Sequence, residues 1–136
     1  MKPFLYSGLF VGLTFLLRQI KINSIIKTGI NYIGTPYLWG GCSAGGFDCS
    51  GFIQFIYAEN NITIPRTTTK MLNSLKSVNN LIKGDIILFD MRNGFQHAGI
   101  YIGGNEFIHA SSSQGVTIST LSSYWDPFII DYKRVF

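Results

Sequence analysis

Apolar residues along the chain keep two different periods, and the change from one to the other divides it. Residues 3–17 form an uncharged and mostly apolar run, with Lys2 before it and Arg18 and Lys21 after it. Over 22–33, Ile22, Ile25, Ile26, Ile30 and Ile33 recur on one helical face, with Asn23 or Ser24 as a cap and Gly34 followed by Pro36 as a stop. Phe52, Ile53, Ile56 and Tyr57 predict another helix, running to about Glu59, and 67–75 reads as a short, weaker one. From Asp85 the period is that of strands. Residues 86–89, 98–102, 107–110, 116–119 and 128–135 are the strand candidates, with Gly94 and Gly103-Gly104 in turns and a short turn or helix at 121–125. Helices first and strands afterwards predict an α+β domain, N-terminal helices packed on an antiparallel sheet of about five strands.

The first 21 residues read as an address and 22–136 as the folded domain. The apolar run is shorter than the roughly 20 residues a membrane-spanning helix usually needs, although basic flanks that snorkel relax that length. Residues 18–22, Arg-Gln-Ile-Lys-Ile, offer no small-residue cleavage site. An uncleaved signal anchor therefore fits better than a cleaved export signal, and a buried helix of the domain is the third reading. Residues 3–17 would be the membrane attachment; flanking charges do not orient it, with Lys2 and the α-amine before it and Arg18, Lys21 and Lys27 after it, and the domain is expected to be extracytoplasmic, membrane-anchored or secreted.

Composition changes this picture little. A chain of 136 residues, 46% hydrophobic and 13% charged, suits one compact domain, and it is expected to be monomeric. Of the 11 basic residues, Lys2, Arg18 and Lys21 sit in the N-terminal segment, which leaves eight against seven acidic ones. That balance provides no basic footprint for nucleic acid.

Candidate chemistry starts where a glycine-rich stretch, 40–46, runs into Asp48-Cys49. Asp48 is the natural N-cap, so Cys49 takes the first helical position, where free amides and the helix dipole favour a thiolate with a pKa of roughly 3.5–7.5. The competing reading is a buried structural cysteine. A thiol nucleophile needs a base and a group that orients the base. The chain has two histidines, His97 at the start of one predicted strand and His109 in the next, which suggests Cys49 as nucleophile, His97 as general base and then acid, and His109 as the residue fixing the tautomer of His97. Zinc on Cys42, Cys49, His97 and His109 is disfavoured by their spacing, six residues between the cysteines and eleven between the histidines. No metal or cofactor is expected. Cys42 and Cys49 could form one disulfide that would cap the nucleophile. Tyr37 and Trp39 are core aromatics or pocket walls, with nothing in the pattern to separate the two.

Strand parity adds a geometric condition. His97 and His109 share a sheet face only if the connection is a three-residue turn, Gly103-Gly104-Asn105, pairing Ile102 with Glu106, or if a bulge elsewhere restores the same parity. Both imidazoles are then expected to face the Cys49 helix, with Ala98, Ile100, Ile108 and Ala110 on the opposite face.

These residues fall in an ordered series: 34–41 (Gly-Thr-Pro-Tyr-Leu-Trp-Gly-Gly), 46–52 (Gly-Phe-Asp-Cys-Ser-Gly-Phe), 64–68 (Ile-Pro-Arg-Thr-Thr), 84–86, 97–103 and 107–110. Over roughly 100 residues the series resembles the NlpC-type papain-like cysteine peptidases of bacterial cell walls. The resemblance implies a papain-like fold and hydrolysis of the peptidoglycan stem peptide between γ-linked D-glutamate and a diamino acid, without a cofactor. It puts Cys49, His97 and His109 on catalytic positions, Tyr37 on a site-lining tyrosine, and Asp48 and Ser50 beside the bound peptide, where Asp48 would meet a free peptide amine. Cys42 and Lys70-Met71 depart from the family pattern. The alternatives are a papain-like amidase that cuts between sugar and peptide, and a catalytically silent wall-binding protein.

Overall fold

The computed structural model describes the backbone of residues 2–94 and 96–136, and the side chains of all of these except 2–7 and 93. Of the expected anchor segment 3–17, the side chains of 3–7 thus lie outside the described residues.

One helix, α1 (Lys2–Asn31), replaces the expected pair of segments. It runs unbroken through residues 21 and 22, and neither Asn23 nor Ser24 caps anything. Ser24 sits in mid-helix instead, where its hydroxyl donates to Asn60 Oδ1 (2.6 Å) while Asn60 Nδ2 donates to Thr28 Oγ1 (3.1 Å). Lys21 Nζ donates to the Asn60 carbonyl (2.8 Å). This side-chain clamp, together with the buried Ile22 and Ile25, docks the second half of α1. Gly29 lets the helix close on its neighbours, since a Cβ there would lie 3.3 Å from Ile56. The first half projects, with Leu9, Phe10, Val11, Phe15 and Leu17 each more than half exposed. Among the described residues, 8–31 is the one stretch long and apolar enough to cross a membrane.

A short hairpin follows, β1 (Cys42–Ser43) and β2 (Gly46–Phe47), then α2 (Cys49–Ala58) and α3 (Thr68–Ser74). Asp48 caps α2 as the sequence implies, accepting from the Gly51 amide, and α3 is capped by Thr67, which accepts from the Lys70 amide. The main sheet has six strands, in the order β3 (Lys76–Ser77), β8 (Ile129–Arg134), β4 (Ile86–Asp90), β5 (Gln96–Gly103), β6 (Glu106–Ser111) and β7 (Gly115–Thr120), all antiparallel. The strand beyond the expected five is β3, two residues long and too short to carry a pattern. It is held at the edge by the buried Lys133, whose Nζ donates to the Leu75 carbonyl (3.0 Å) and Ser77 Oγ (2.9 Å).

Both faces of this sheet are covered. Phe52, Ile53, Ile56 and Tyr57 of α2 pack on Ile86, Leu88, Ala98, Ile100, Ile108 and Ala110. On the other face Ile87, Phe89 and Phe107 lie under Leu121, Trp125 and Phe128, from the segment after β7. The β5–β6 connection is a two-residue turn, Gly104 (φ 60°) and Asn105 (φ 61°), with Gly103 opposite Glu106. The expected three-residue turn is therefore corrected. The even parity survives through a bulge between Tyr101 and Gly103, upstream of which Tyr101 faces Phe107 and Ile100 faces Ile108.

Candidate active site

Cys49 is the first residue of α2, and glycine is what lets the preceding loop reach it. The Asp48 amide donates to the Gly41 carbonyl (2.9 Å), and that carbonyl occupies the space a Cβ on Gly51 would fill. Asp48 is tied down further. Its Oδ1 accepts from the Gly51 amide (2.6 Å) and from Arg66 Nη1 (3.0 Å), and its Oδ2 accepts from Arg66 Nη2 (2.8 Å). Arg66 Nη1 also donates to Ser50 Oγ (2.9 Å). Tyr37, Trp39, Asp48, Cys49, Ser50 and Arg66 together wall one depression of about 550 Å³. Trp39 is 81% exposed, which makes it a pocket wall; Tyr37 is half-buried and reaches both pocket and core. Burial first, then the nearby Cys49 and Asp48, raise the Tyr37 hydroxyl above its ordinary pKa, against the opposing pull of Arg66.

The thiol meets the sheet where the β5–β6 ladder is open. Paired residues on those strands begin at Ile100 and Ile108. Ahead of them Cys49 Sγ lies 3.8 Å from the Gln96 carbonyl oxygen, and the Ala98 backbone also bonds to it. Because strand amides and carbonyls point along the sheet plane, the sulfur enters the edge of β5 at the level of His97, whose two chain neighbours it touches.

The imidazoles lie on one face, but it is the face away from α2. His97 and His109 are buried among Phe89, Phe107 and Trp125; the His97 ring stacks on Trp125 at 6.0 Å between centroids and 22° between planes, and Phe107 lies 4.6 Å from His109. Ala98, Ile100, Ile108 and Ala110 face the helix instead. This reverses the expected assignment of faces, because the body of α2 requires an aliphatic bed and only its first turn reaches the chemistry. His97 Nε2 and His109 Nδ1 are 2.8 Å apart, and His109 Nε2 is 2.8 Å from Ser119 Oγ. Ser119, Trp125, Arg66 and Gln96 were not singled out by sequence reasoning. Of these, Ser119 had a signal: it lies two residues past Thr117, the partner of His109 on β7, and so shares its face.

Burial sets the charge state. The Cys49 thiol is pushed up to about 11, with Asp48 adding to the rise and contacts from the backbone of Ser50, Ala98 and Cys49 itself lowering it only in part. The thiolate expected from the helix start is thus overturned by desolvation and a neighbouring carboxylate. Burial also lowers His97 to about 3, with His109 contributing, and lowers His109 to about 4. At neutral pH the resting pair is a thiol and a neutral imidazole. Both cysteines are free, Cys42 exposed and Cys49 buried. Among the described residues no cluster of three or more His, Cys, Asp or Glu could hold a metal ion.

A helix-start cysteine beside the open edge of an antiparallel sheet, with a histidine pair at the same level, defines a papain-like α+β arrangement. The chain belongs to the NlpC/P60 family, whose model matches residues 34–134. It is 39% identical over 118 residues to the probable peptidoglycan endopeptidase LytE of Bacillus subtilis, covering 85% of this chain and 35% of that one. To the murein DD-endopeptidase MepS/murein LD-carboxypeptidase of Escherichia coli K12 it is 38% identical over 125 residues, covering 88% and 66%. A solved NlpC/P60 family protein from Bacillus cereus superposes with a TM-score of 0.77 at 34% identity, covering 83% of this chain and 39% of that one. The chain thus spans between about one third and two thirds of the length of these curated relatives.

Proposed function

We propose that the chain is a thiol endopeptidase of the bacterial cell wall that cuts the peptidoglycan stem peptide between a γ-D-glutamyl residue and the diamino acid that follows. The observation that carries the reading is the hydrogen-bonded file Ser119, His109, His97, ending at the strand position against which the Cys49 thiol rests. Two relatives named for endopeptidase action on peptidoglycan or murein support the substrate class. The bond rests on the family resemblance and on the Asp48 carboxylate, whose Oδ2 takes one described hydrogen bond, from Arg66, and keeps a lone pair for the free amine of a short stem peptide.

The mechanism follows from the charge states. In the tautomer where His97 Nε2–H donates to His109 Nδ1 and His109 Nε2–H donates to Ser119 Oγ, Nδ1 of His97 is the basic nitrogen, and this is the arrangement the reaction uses. As Sγ attacks the scissile carbonyl carbon, its proton passes to His97 Nδ1. The oxyanion forms beside the Cys49 and Ser50 amides, which already bond to the sulfur. The C–N bond then breaks, His97 returns the proton to the departing amine, and a thioester remains. Water, deprotonated by His97, releases the acid and restores the thiol. Neither cofactor nor metal enters this scheme.

Purified sacculi treated with the protein should release muropeptides cut at the γ-glutamyl bond, by mass spectrometry, and Cys49→Ala should release none. Fragments cut between sugar and peptide would favour the amidase reading; binding to sacculi with no release would favour a silent wall-binding protein. We further propose an extracytoplasmic domain held to the membrane by the projecting part of α1. The full chain should then pellet with membranes and a form beginning at Lys21 should not, and equal partitioning of the two would refute the anchor.

A further inference from the structure

The thiol and the histidines open onto different ground. A second hollow, of about 340 Å³, shares no described lining residue with the Asp48 depression and is walled by His97, His109, Ser119, Trp125 and Arg92 and by the 111–114 turn. Met91, Arg92 and Tyr124 also line a neighbouring hollow of about 540 Å³ that extends to Phe128, so the two form one trough. Arg92 stands over the Phe128 ring, 5.7 Å from its centroid, which holds the guanidinium at the trough wall.

Charge separates this trough from the Asp48 depression. There the cation, Arg66, is spent on Asp48. In the trough no described lining residue is acidic, and the three ion pairs among the described residues do not include Arg92. The remaining polar groups include the hydroxyls of Tyr124, Ser119, Ser123 and the serines at 111–113 and the amide of Gln114. His97, which protonates the departing amine in the mechanism above, is itself a wall of this trough, so the leaving fragment lies next to it.

We propose that this trough is the leaving-group subsite and that Arg92 selects a leaving fragment bearing a carboxylate. The proposal rests on the endopeptidase reading above. In a stem peptide that carboxylate has two sources: the side chain of the diamino acid, present in diaminopimelic acid and absent in lysine, or the free C-terminus of the fragment.

Four synthetic peptides, L-Ala-γ-D-Glu-X-D-Ala with X as diaminopimelic acid or lysine and a C-terminal acid or amide, separate the sources. Arg92→Ala should lower kcat/KM about tenfold on peptides that carry the recognised carboxylate and leave those lacking it unchanged, and Arg92→Lys should keep part of the preference. The peptide pair that responds names the source. Equal losses on all four peptides, or no loss on any, overturns the proposal. If none of the four is cut, the bond assignment has failed, and calorimetric titration of the Cys49→Ala protein with the free X-D-Ala fragments decides the trough by itself. Tighter binding of the carboxylate-bearing fragments that Arg92→Ala abolishes supports the subsite, and binding indifferent to Arg92 removes it.

Discussion

The two faces of the main sheet are built from alternate residues of the same strands, yet they do different work. The face toward α2 is aliphatic: Ile86, Leu88, Ala98, Ile100, Ile108 and Ala110, each at most 1% exposed. The other face carries Phe89, Phe107, Trp125 and the two histidines, buried but hydrogen-bonded to one another and to Ser119. Because side chains alternate with period two, a step of one residue along β5 passes from chemistry to core. Stability and reactivity can therefore be changed separately on a single strand.

The largest test sets His97 against Ile100. His97→Ala should lower turnover of a stem peptide by about 10³-fold or more. Ile100→Ala should cost about 2–5 kcal/mol in urea unfolding while turnover per folded molecule stays within about threefold. A comparable loss of turnover at Ile100 would show that the two faces are not independent.

What was legible in the chain follows the same division. The order of the main helices and strands, the Asp48 cap, and the shared face of His97 and His109 are local consequences of capping and parity, so nearby residues suffice to read them. The direction of that face was not legible. Both faces of β5 and β6 are apolar enough to be buried, and the choice is made by α2, some 40 residues earlier. The unbroken α1 was missed because Asn23 and Ser24 are good caps in isolation; only the distant Asn60 gives Ser24 and Thr28 a reason to stay helical. The thiol's charge state failed for a related reason: a helix start can be read from the sequence, but the burial that outweighs it comes from tertiary packing.

A second test uses acid. In the unfolded chain a histidine titrates near 6.5, whereas burial holds His97 down at about 3 and His109 at about 4. Between these values the unfolded chain binds more protons than the folded one, so stability falls as pH falls. Each histidine contributes about 1.4 kcal/mol per pH unit across its window. Urea unfolding at pH 7, 6 and 5 should show this decline, in a range where most carboxylates stay ionised, and His109→Asn should remove about half of the slope. A stability that is flat from pH 7 to 5 would mean that the aromatic face is open to water.

The finest test concerns Ser119, a single hydroxyl on the histidine face. The Ser119–His109–His97 file has two self-consistent proton arrangements. In one, each imidazole donates toward Ser119 and His97 keeps a basic Nδ1; in the other, Ser119 donates to His109, His109 Nδ1–H donates to His97, and Nδ1 of His97 carries a proton it cannot use as a base. An acceptor at 119 favours the productive arrangement, so the effect of Ser119 on the rate is expected to run through His109. Ser119→Ala should therefore lower kcat about three- to tenfold with KM nearly unchanged, roughly the loss of one hydrogen bond. Ser119→Thr, which keeps the hydroxyl, should restore most of the rate. A KM effect of equal size would instead make Ser119 a substrate contact of the trough, and an alanine variant no slower than the threonine one would reduce it to a packing residue.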